Sequence, residues 1–262
     1  MIELLYDGTV KFKFEDGDHL YTKQLLVDKA KDLWTPATPV LGVTTVKNII
    51  DKPALIGWSA KLAAEYMRDN VKQPEQLKRM AEIAKRQHIE VSNKGKQAGT
   101  VGHELVEALL AKKPYAIKSD DTQSESVAAA FQAWRKDYQP GVVEQERACY
   151  SLAHDFAGKF DLLCEIDGKL TLVDFKTSNS SYKYPDGIYP DMYCQLGGYL
   201  VLIAEQLGVQ VDDAIIVNLP KDGSEYKTKS LSEIGLSQGE AKLYFLSALA
   251  LYKLNASFGW KV

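Results

Sequence analysis

Apolar and polar positions alternate early in the chain and then settle into a helical period. Thr9–Phe14 and His19–Tyr21, on either side of Asp16-Gly17-Asp18, predict two short β-strands, and the pattern up to residue 35 fits no single period. Pro36 and Pro39 mark a break. Helices are then predicted over Val43–Ile50, over Ala54–Asn70 with Pro53 in the first turn, and from Pro74 to about Lys113. Gly95 and Gly99 are expected to divide that last stretch into two, and a further helix spans Asp121–Tyr138 before Pro140-Gly141.

The pattern changes at Val142. Val142–Ser151, Phe156–Ile166 and Lys169–Lys176 are rich in β-branched, aromatic and apolar residues with short turns between them, as in consecutive strands. A polar, tyrosine-rich loop at Asn179–Pro190 precedes a helix at Asp191–Leu207, a buried strand at Ala214–Leu219 and a closing helix at Gly239–Leu254. This order predicts an α/β fold with a helical N-terminal half. The expected organisation is one domain over 1–262: a β element at 1–35, a helical part at 36–140, a sheet core at 141–220 and a C-terminal helix at 221–262.

Composition narrows the class. Apolar residues make up 45% and charged residues 26%, the balance of a globular chain rather than a disordered or fibrous one. No stretch approaches the roughly 20 apolar residues that span a bilayer, and the acidic start Met1-Ile2-Glu3-Leu4-Leu5-Tyr6-Asp7 is unlike an export signal. A cytoplasmic protein with no membrane partner is therefore expected. Cys149, Cys164 and Cys194 lie far apart, which argues against a disulfide framework or a zinc knuckle.

Net charge is −3, from 32 basic and 35 acidic residues, which does not advertise a nucleic-acid partner. Its distribution does more. Between Lys72 and Lys118 ten Lys and Arg face five Glu, a local excess of +5 on mostly helical sequence. Such a region is either a phosphate-facing surface or an ordinary solvated helix face.

The chemistry concentrates on one hairpin. Asp167-Gly168 between two apolar runs is a two-residue turn signal, and opposed residues in that hairpin have numbers adding to 335. Asp161 and Asp174 then oppose each other on one face, and Lys176, two residues on, shares it. Opposed carboxylates about 5 Å apart destabilise a sheet unless something compensates. A hard divalent cation would do so; the alternative is a solvent-exposed acid pair partly neutralised by Lys176. Glu146, or Glu144 at the same parity, lies on the preceding strand near Asp161. His103, in Gly99-Thr100-Val101-Gly102-His103-Glu104, opens an apolar helical run from which it can cap the cluster, although a lone histidine there is ordinarily a surface or core residue. Gln195 and Tyr199, four apart, share one helix face as site residues or simply as packing.

Together these residues carry a resemblance. Gly158-x-x-Asp161, twelve intervening residues, Asp174-Phe175-Lys176-Thr177 and then Gln195-x-x-x-Tyr199 resemble the PD-(D/E)XK nuclease superfamily, in particular its RecB-type branch. That branch also carries a helix-borne His, as at Gly99-Thr100-x-x-His103, and a Glu on the preceding strand, as at Glu146. Val43-Thr44-Thr45-Val46 through Asp51-Lys52-Pro53-Ala54-Leu55 and Trp58 looks like the N-terminal region of phage and mitochondrial-maintenance exonucleases of this type, so the resemblance spans about Val43 to Leu219. Phe160 stands where the pattern nominally has proline, and the four cysteines of the iron–sulfur members are missing, so no iron–sulfur cluster is expected.

The resemblance implies a central mixed β-sheet flanked by helices, a restriction-endonuclease-like core, and phosphodiester hydrolysis assisted by Mg2+ or Mn2+. It implies Asp161, Asp174, His103 and Glu146 as metal ligands, with the Phe175 carbonyl facing the metal, and Lys176, Gln195 and Tyr199 as further catalytic residues. DNA, single-stranded or at duplex ends, is the implied substrate, with Tyr182, Tyr184 and Tyr189 as candidates for stacking on unpaired bases. A bacterial or phage-encoded exonuclease of recombination or repair is the expected function, with a single-strand annealing or recombination protein as the candidate partner. The alternatives are a non-catalytic DNA-binding protein on the same fold and a metal-dependent hydrolase of small phosphoesters.

Overall fold

The computed structural model describes residues 2–16, 19–50, 53–111, 113–115, 117, 121–178, 180, 181 and 183–260, with the backbone alone at 53, 54, 94–98 and 100. Five strands form the N-terminal part: β1 (Ile2–Leu5), β2 (Val10–Glu15), β3 (Leu20–Asp28), β4 (Leu33–Trp34) and β5 (Thr38–Val40). All pair antiparallel, in the order β1-β2-β3-β4 with β5 also on β3. The stretch without clear period is thus mostly strand. Its inward residues are few, because Val10, Phe12 and Tyr21 pack in a small cluster with Tyr150 and Ala157 while most of the sheet stays half-exposed.

Helices follow: α1 (Val43–Lys47), α2 (Pro53–Asn70), α3 (Leu77–Ala84), α4 (Gln87–Leu110) and α5 (Thr122–Tyr138). The expected division at Gly95 and Gly99 does not occur. The chain breaks instead at Lys85–Arg86, and α4 runs unbroken through both glycines. A helical glycine costs about 1 kcal/mol relative to alanine, yet here the small residues serve packing. A Cβ on Gly102 would stand 2.8 Å from Thr177 Cγ2, and one on Gly99 3.6 Å from Thr177 Oγ1. Asp121 caps α5 by accepting the Ser124 N–H.

The second sheet is mixed, as the resemblance implied. β6 (Gly141–Ser151), β7 (Phe156–Ile166), β8 (Lys169–Lys176), β9 (Asp213–Asn218) and β10 (Lys227–Ser230) lie in the order β10-β9-β8-β7-β6. β8 and β9 are parallel and every other pair is antiparallel. The crossover between β8 and β9 carries α6 (Pro190–Leu202), which continues as one wide turn over Ile203–Leu207. α7 (Gln238–Ser257) closes the chain behind a Ser237–Glu240 capping box.

Each face of the sheet has its own core. Phe156, Phe160, Leu163 and Leu172 on one face pack with α1, α6 and α7. Leu162, Cys164, Val173 and Phe175 on the other pack with α4 and α5 through Leu105, Phe131 and Trp134. On β8 alternation accounts for the split, Leu172 facing one core and Val173 and Phe175 the other; on β7 the sides exchange at Asp161, since Phe156 and Phe160 lie in the first core and Leu162 and Cys164, of the same parity, in the second. Among the described residues no helix is long and apolar enough to cross a membrane.

Candidate active site

Asp167 and Gly168 both take left-handed backbone conformations, φ 50° and 73°, and the hairpin they close runs in the expected register from Ile166 opposite Lys169 to Leu162 opposite Val173. There the ladder stops. β8 continues along β9, with Asp174 beside Ile216 and Lys176 beside Asn218, while β7 continues along β6. The sheet forks, and Asp161 and Asp174 are the first residues past the last β7–β8 pair. Asp161 turns its carboxylate into the fork and accepts the Phe175 N–H at 2.7 Å.

Asp174 is fully buried. The Lys176 ammonium lies against its Oδ2 and donates to the Phe175 carbonyl at 3.2 Å. Asp174 Oδ1 has no hydrogen-bond donor among the described residues, and the Lys176 contact on Oδ2 is an ion pair rather than an aligned hydrogen bond. Burial pushes the Asp174 carboxyl above the usual carboxylate range; Lys176 works against that and the nearby Asp161 adds to it.

The register also separates the two candidates on β6. Gln145 opposes Leu162 and Arg147 opposes Phe160, so Glu146, not Glu144, stands across from Asp161. Glu146 takes φ 50°, a conformation a glutamate rarely adopts, just beyond a bulge between Val142 and Glu144. Its carboxyl is pushed up to about 8 by burial and by the charge of Asp161, while Lys159, 2.7 Å away, pulls it back. The Lys159 ammonium is itself held charged by Glu146 and Asp16, which outweigh its burial.

From the other side α4 brings His103 Nδ1 to 3.8 Å from Asp161 Oδ2. Glu107, one turn further, adds its charge to the field that raises Glu146. The contact of Gly102 with Thr177 sets how closely this helix approaches the end of β8.

A polar relay forms the remaining wall. Gln195 Nε2 donates to the Tyr199 hydroxyl at 2.8 Å, and Lys47 Nζ donates to Gln195 Oε1 at 2.8 Å while standing 3.5 Å from Asp191. Tyr199 is buried, and burial with the charges of Asp174 and Asp161 raises its phenol well above the usual value. Gly158 permits this arrangement, since a Cβ there would lie 2.7 Å from Val43 Cγ2 and 3.0 Å from Tyr199 Cε1.

The residues picked out by the sequence are therefore gathered at one fork, but not all of them. Tyr184 and Tyr189 turn toward each other, ring centroids 5.0 Å apart, and Tyr182 lies outside the described residues. So do the side chains of Lys94 and Lys96, and residues Lys112 and Lys118 entirely. Lys47, Lys159 and Glu107 were not anticipated. The signal for Lys47 was available: it is the one charged residue in the otherwise apolar and small Leu41–Ile50 run.

The donor set suits a hard cation. Asp161, Asp174 and Glu146 offer carboxylate oxygens, one of them buried without a donor, and both Asp174 and Glu146 resist ionisation. Among the described residues no three His, Cys, Asp or Glu side chains converge closely enough to make a ligand set by themselves.

Solved structures similar to this chain at low identity include the following three. The protein described as SSO0001 is 16% identical, with 75% of this chain and 86% of that chain covered and a TM-score of 0.33. LHK-Exo in complex with dAMP is 13% identical over 76% and 93%, TM-score 0.31. The alkaline exonuclease LHK-Exo from Laribacter hongkongensis is 13% identical over 77% and 97%, TM-score 0.30. No curated protein sequence matches significantly. The family model of the PD-(D/E)XK nuclease superfamily matches residues 60–250, which include the fork, α3 to α6 and most of α7, and the chain belongs to that superfamily.

Proposed function

We propose that this chain is a metal-dependent deoxyribonuclease that removes nucleotides from DNA ends, in phage or bacterial recombination or repair. The observation that carries the reading is the fully buried Asp174, paired with Lys176 on one oxygen and without a donor on the other, beside an Asp161 fixed by backbone. A buried ion pair with one unsatisfied oxygen is costly to a fold; a site that receives a cation explains its presence.

Asp161 and Asp174, with His103 and Glu146 on either side, would hold Mg2+ or Mn2+. The bound ion would polarise the scissile phosphate and lower the pKa of the attacking water. Lys176 would position that water and offset charge developing on the phosphoryl oxygens. Gln195 and Tyr199, oriented by Lys47, would fix the polar wall against which the phosphate lies.

End-labelled linear DNA, single- and double-stranded, and closed circular DNA should be incubated with Mg2+ or Mn2+ and with EDTA. A generic phosphoester serves as an added substrate and Lys176→Ala as an inactive control. Release of nucleotides from linear DNA only, lost in EDTA and in the variant, is the expected result. Cleavage of circles would replace the end-dependent reading with an endonuclease. Turnover of the phosphoester alone would favour a small-molecule hydrolase, and full cleavage in EDTA would remove the metal from the mechanism.

A further inference from the structure

α7 is apolar on two sides. Its inner side is accounted for: Ala241, Phe245, Ala248 and Leu249 are buried against the α6 layer, where a Cβ on Gly197 would collide with the Ala241 carbonyl. Its outer side should be polar if it faced only water. Instead Leu243, Ser247, Ala250, Leu251, Leu254 and Phe258 follow one another at helical spacing, all exposed and none charged. The neighbouring Lys253 leans away and donates to the His154 carbonyl.

The end of the helix extends this face. The Gly259 N–H donates to the Ala256 carbonyl and the Trp260 N–H to the Asn255 carbonyl, with Gly259 at φ 72°. That double bond is a Schellman motif, and it holds the Trp260 ring 5.2 Å from that of Phe258. Other exposed apolar residues differ. On α3 and α4 they stand beside charges, Leu77 before Lys78 and Arg79 and Ile89 and Val91 on either side of Glu90, and on α2 only the pair Leu55 and Ile56 is exposed among the large apolar residues described.

We infer that this outer face of α7 binds a second copy of the chain, the two helices antiparallel about a two-fold axis between Ala250 and Leu251. The face is complementary to itself in that register. Small Ser247 then meets large Leu254, small Ala250 meets Leu251, and Leu243 meets Phe258 at each end. The small residues at the centre let two helices approach to the usual 8–10 Å.

The area is sufficient. Leu243, Leu251, Leu254, Phe258 and Trp260 are 64, 49, 53, 59 and 64% exposed. Side chains of this size offer roughly 500 Å2 per copy together, hence about 1,000 Å2 across the pair, the lower bound for a specific interface before any polar rim is added. Two aromatic anchors per copy are the residue type that carries binding energy at such interfaces.

Sedimentation of the full chain over a micromolar concentration series should show a monomer–dimer equilibrium. Leu251→Glu with Leu254→Glu should abolish the dimer without lowering the unfolding temperature of the monomer, because both positions face solvent. The three native cysteines are buried, so single introduced thiols report the register under mild oxidant. Ala250→Cys, at the axis, should cross-link to its own copy, whereas Leu243→Cys, about 22 Å along the helix from its counterpart, should not. A chain that stays monomeric throughout, a double variant that still dimerises or that unfolds earlier than wild type at concentrations where both are monomeric, or cross-linking at 243 in preference to 250 would each overturn the inference. None of these readouts depends on nuclease activity.

Discussion

The Asp161 carboxylate accepts the Phe175 N–H at 2.7 Å, just past the point where the β7–β8 ladder ends. A side chain thus takes the place of the strand carbonyl that would otherwise satisfy that amide, and the fork is a built feature of the sheet rather than a frayed end. The two opposed acids consequently differ in kind. Asp161 is tied to backbone, whereas among the described residues Asp174 is tied to Lys176 alone.

Substitutions at Asp161 should separate those roles. Asp161→Asn keeps an oxygen acceptor for the Phe175 N–H, so the metal-free protein should unfold within about 1 kcal/mol of wild type, whereas Asp161→Ala leaves a buried donor unsatisfied and should cost about 1–3 kcal/mol. Cleavage should collapse in both. Urea denaturation with a parallel digestion checks this, and equal destabilisation by the two variants would show that the hydrogen bond does not hold the fork.

At Asp174 the expectation concerns pH. Its carboxyl is raised above the ordinary 3.8 by burial, so above that pH the unfolded chain releases the proton more readily than the folded one does. Wild-type stability is therefore penalised progressively as pH rises from about 4 toward the raised value, and Asp174→Asn, which has no such proton, is not. Measured in EDTA, the stability of Asp174→Asn relative to wild type should increase with pH over that range. The loss of the Lys176 partner adds an offset that is constant while the lysine stays charged. A difference that is flat or decreases with pH would mean Asp174 is ionised at no cost, already compensated by its surroundings.

The hairpin was legible in the sequence because its turn chemistry fixes the register: Asp167-Gly168 dictates which residues oppose. The alternating and helical periods likewise gave β6 to β8, α2, α5 and α7 to within a few residues. What was not legible depended on contacts distant in sequence. α4 runs on through Gly99, and the close approach that favours a small residue in it, Gly102 against Thr177, joins positions more than seventy residues apart. The short edge strand β10 has only Lys-Thr-Lys-Ser to show, with one buried residue, and pairs because β9 offers it an edge. The fork itself was hidden, since the register says that Asp161 and Asp174 are opposite but not that the ladder stops before them.

Gly158 tests how tightly the polar wall is packed. An added methyl would press on Val43 Cγ2 at 2.7 Å and on Leu202 Cδ1 and Tyr199 Cε1 at 3.0 Å. Overpacking of this kind costs about 1–3 kcal/mol. Tyr199 can yield only by leaving its hydrogen bond with Gln195. Gly158→Ala should therefore lower cleavage beyond what its loss of folded protein explains, as judged from rates normalised to the folded fraction. Wild-type rates and stability would mean that the close approach has no role.

Lys47 sits at the outer end of the same relay, and its effect should reach Tyr199 through the orientation of one amide. With Lys47 donating to Oε1, Gln195 must present Nε2 to the Tyr199 hydroxyl, which then accepts and keeps its own proton free to point toward the fork. Without the lysine, the amide can flip and accept from Tyr199 instead, turning that proton away. Lys47→Met retains the aliphatic stem but removes the donor, and it also removes a cation 3.5 Å from the buried Asp191, for which a loss of about 2–4 kcal/mol is expected. Lys47→Arg retains charge and donors and should recover most of the stability. If Lys47 acts on catalysis through Gln195, then Gln195→Ala should lower the rate by at least as much as Lys47→Met, and the double variant should be no slower than Gln195→Ala alone. Independent, additive losses in that cycle would show that the lysine acts by another route, through Asp191 or the substrate directly.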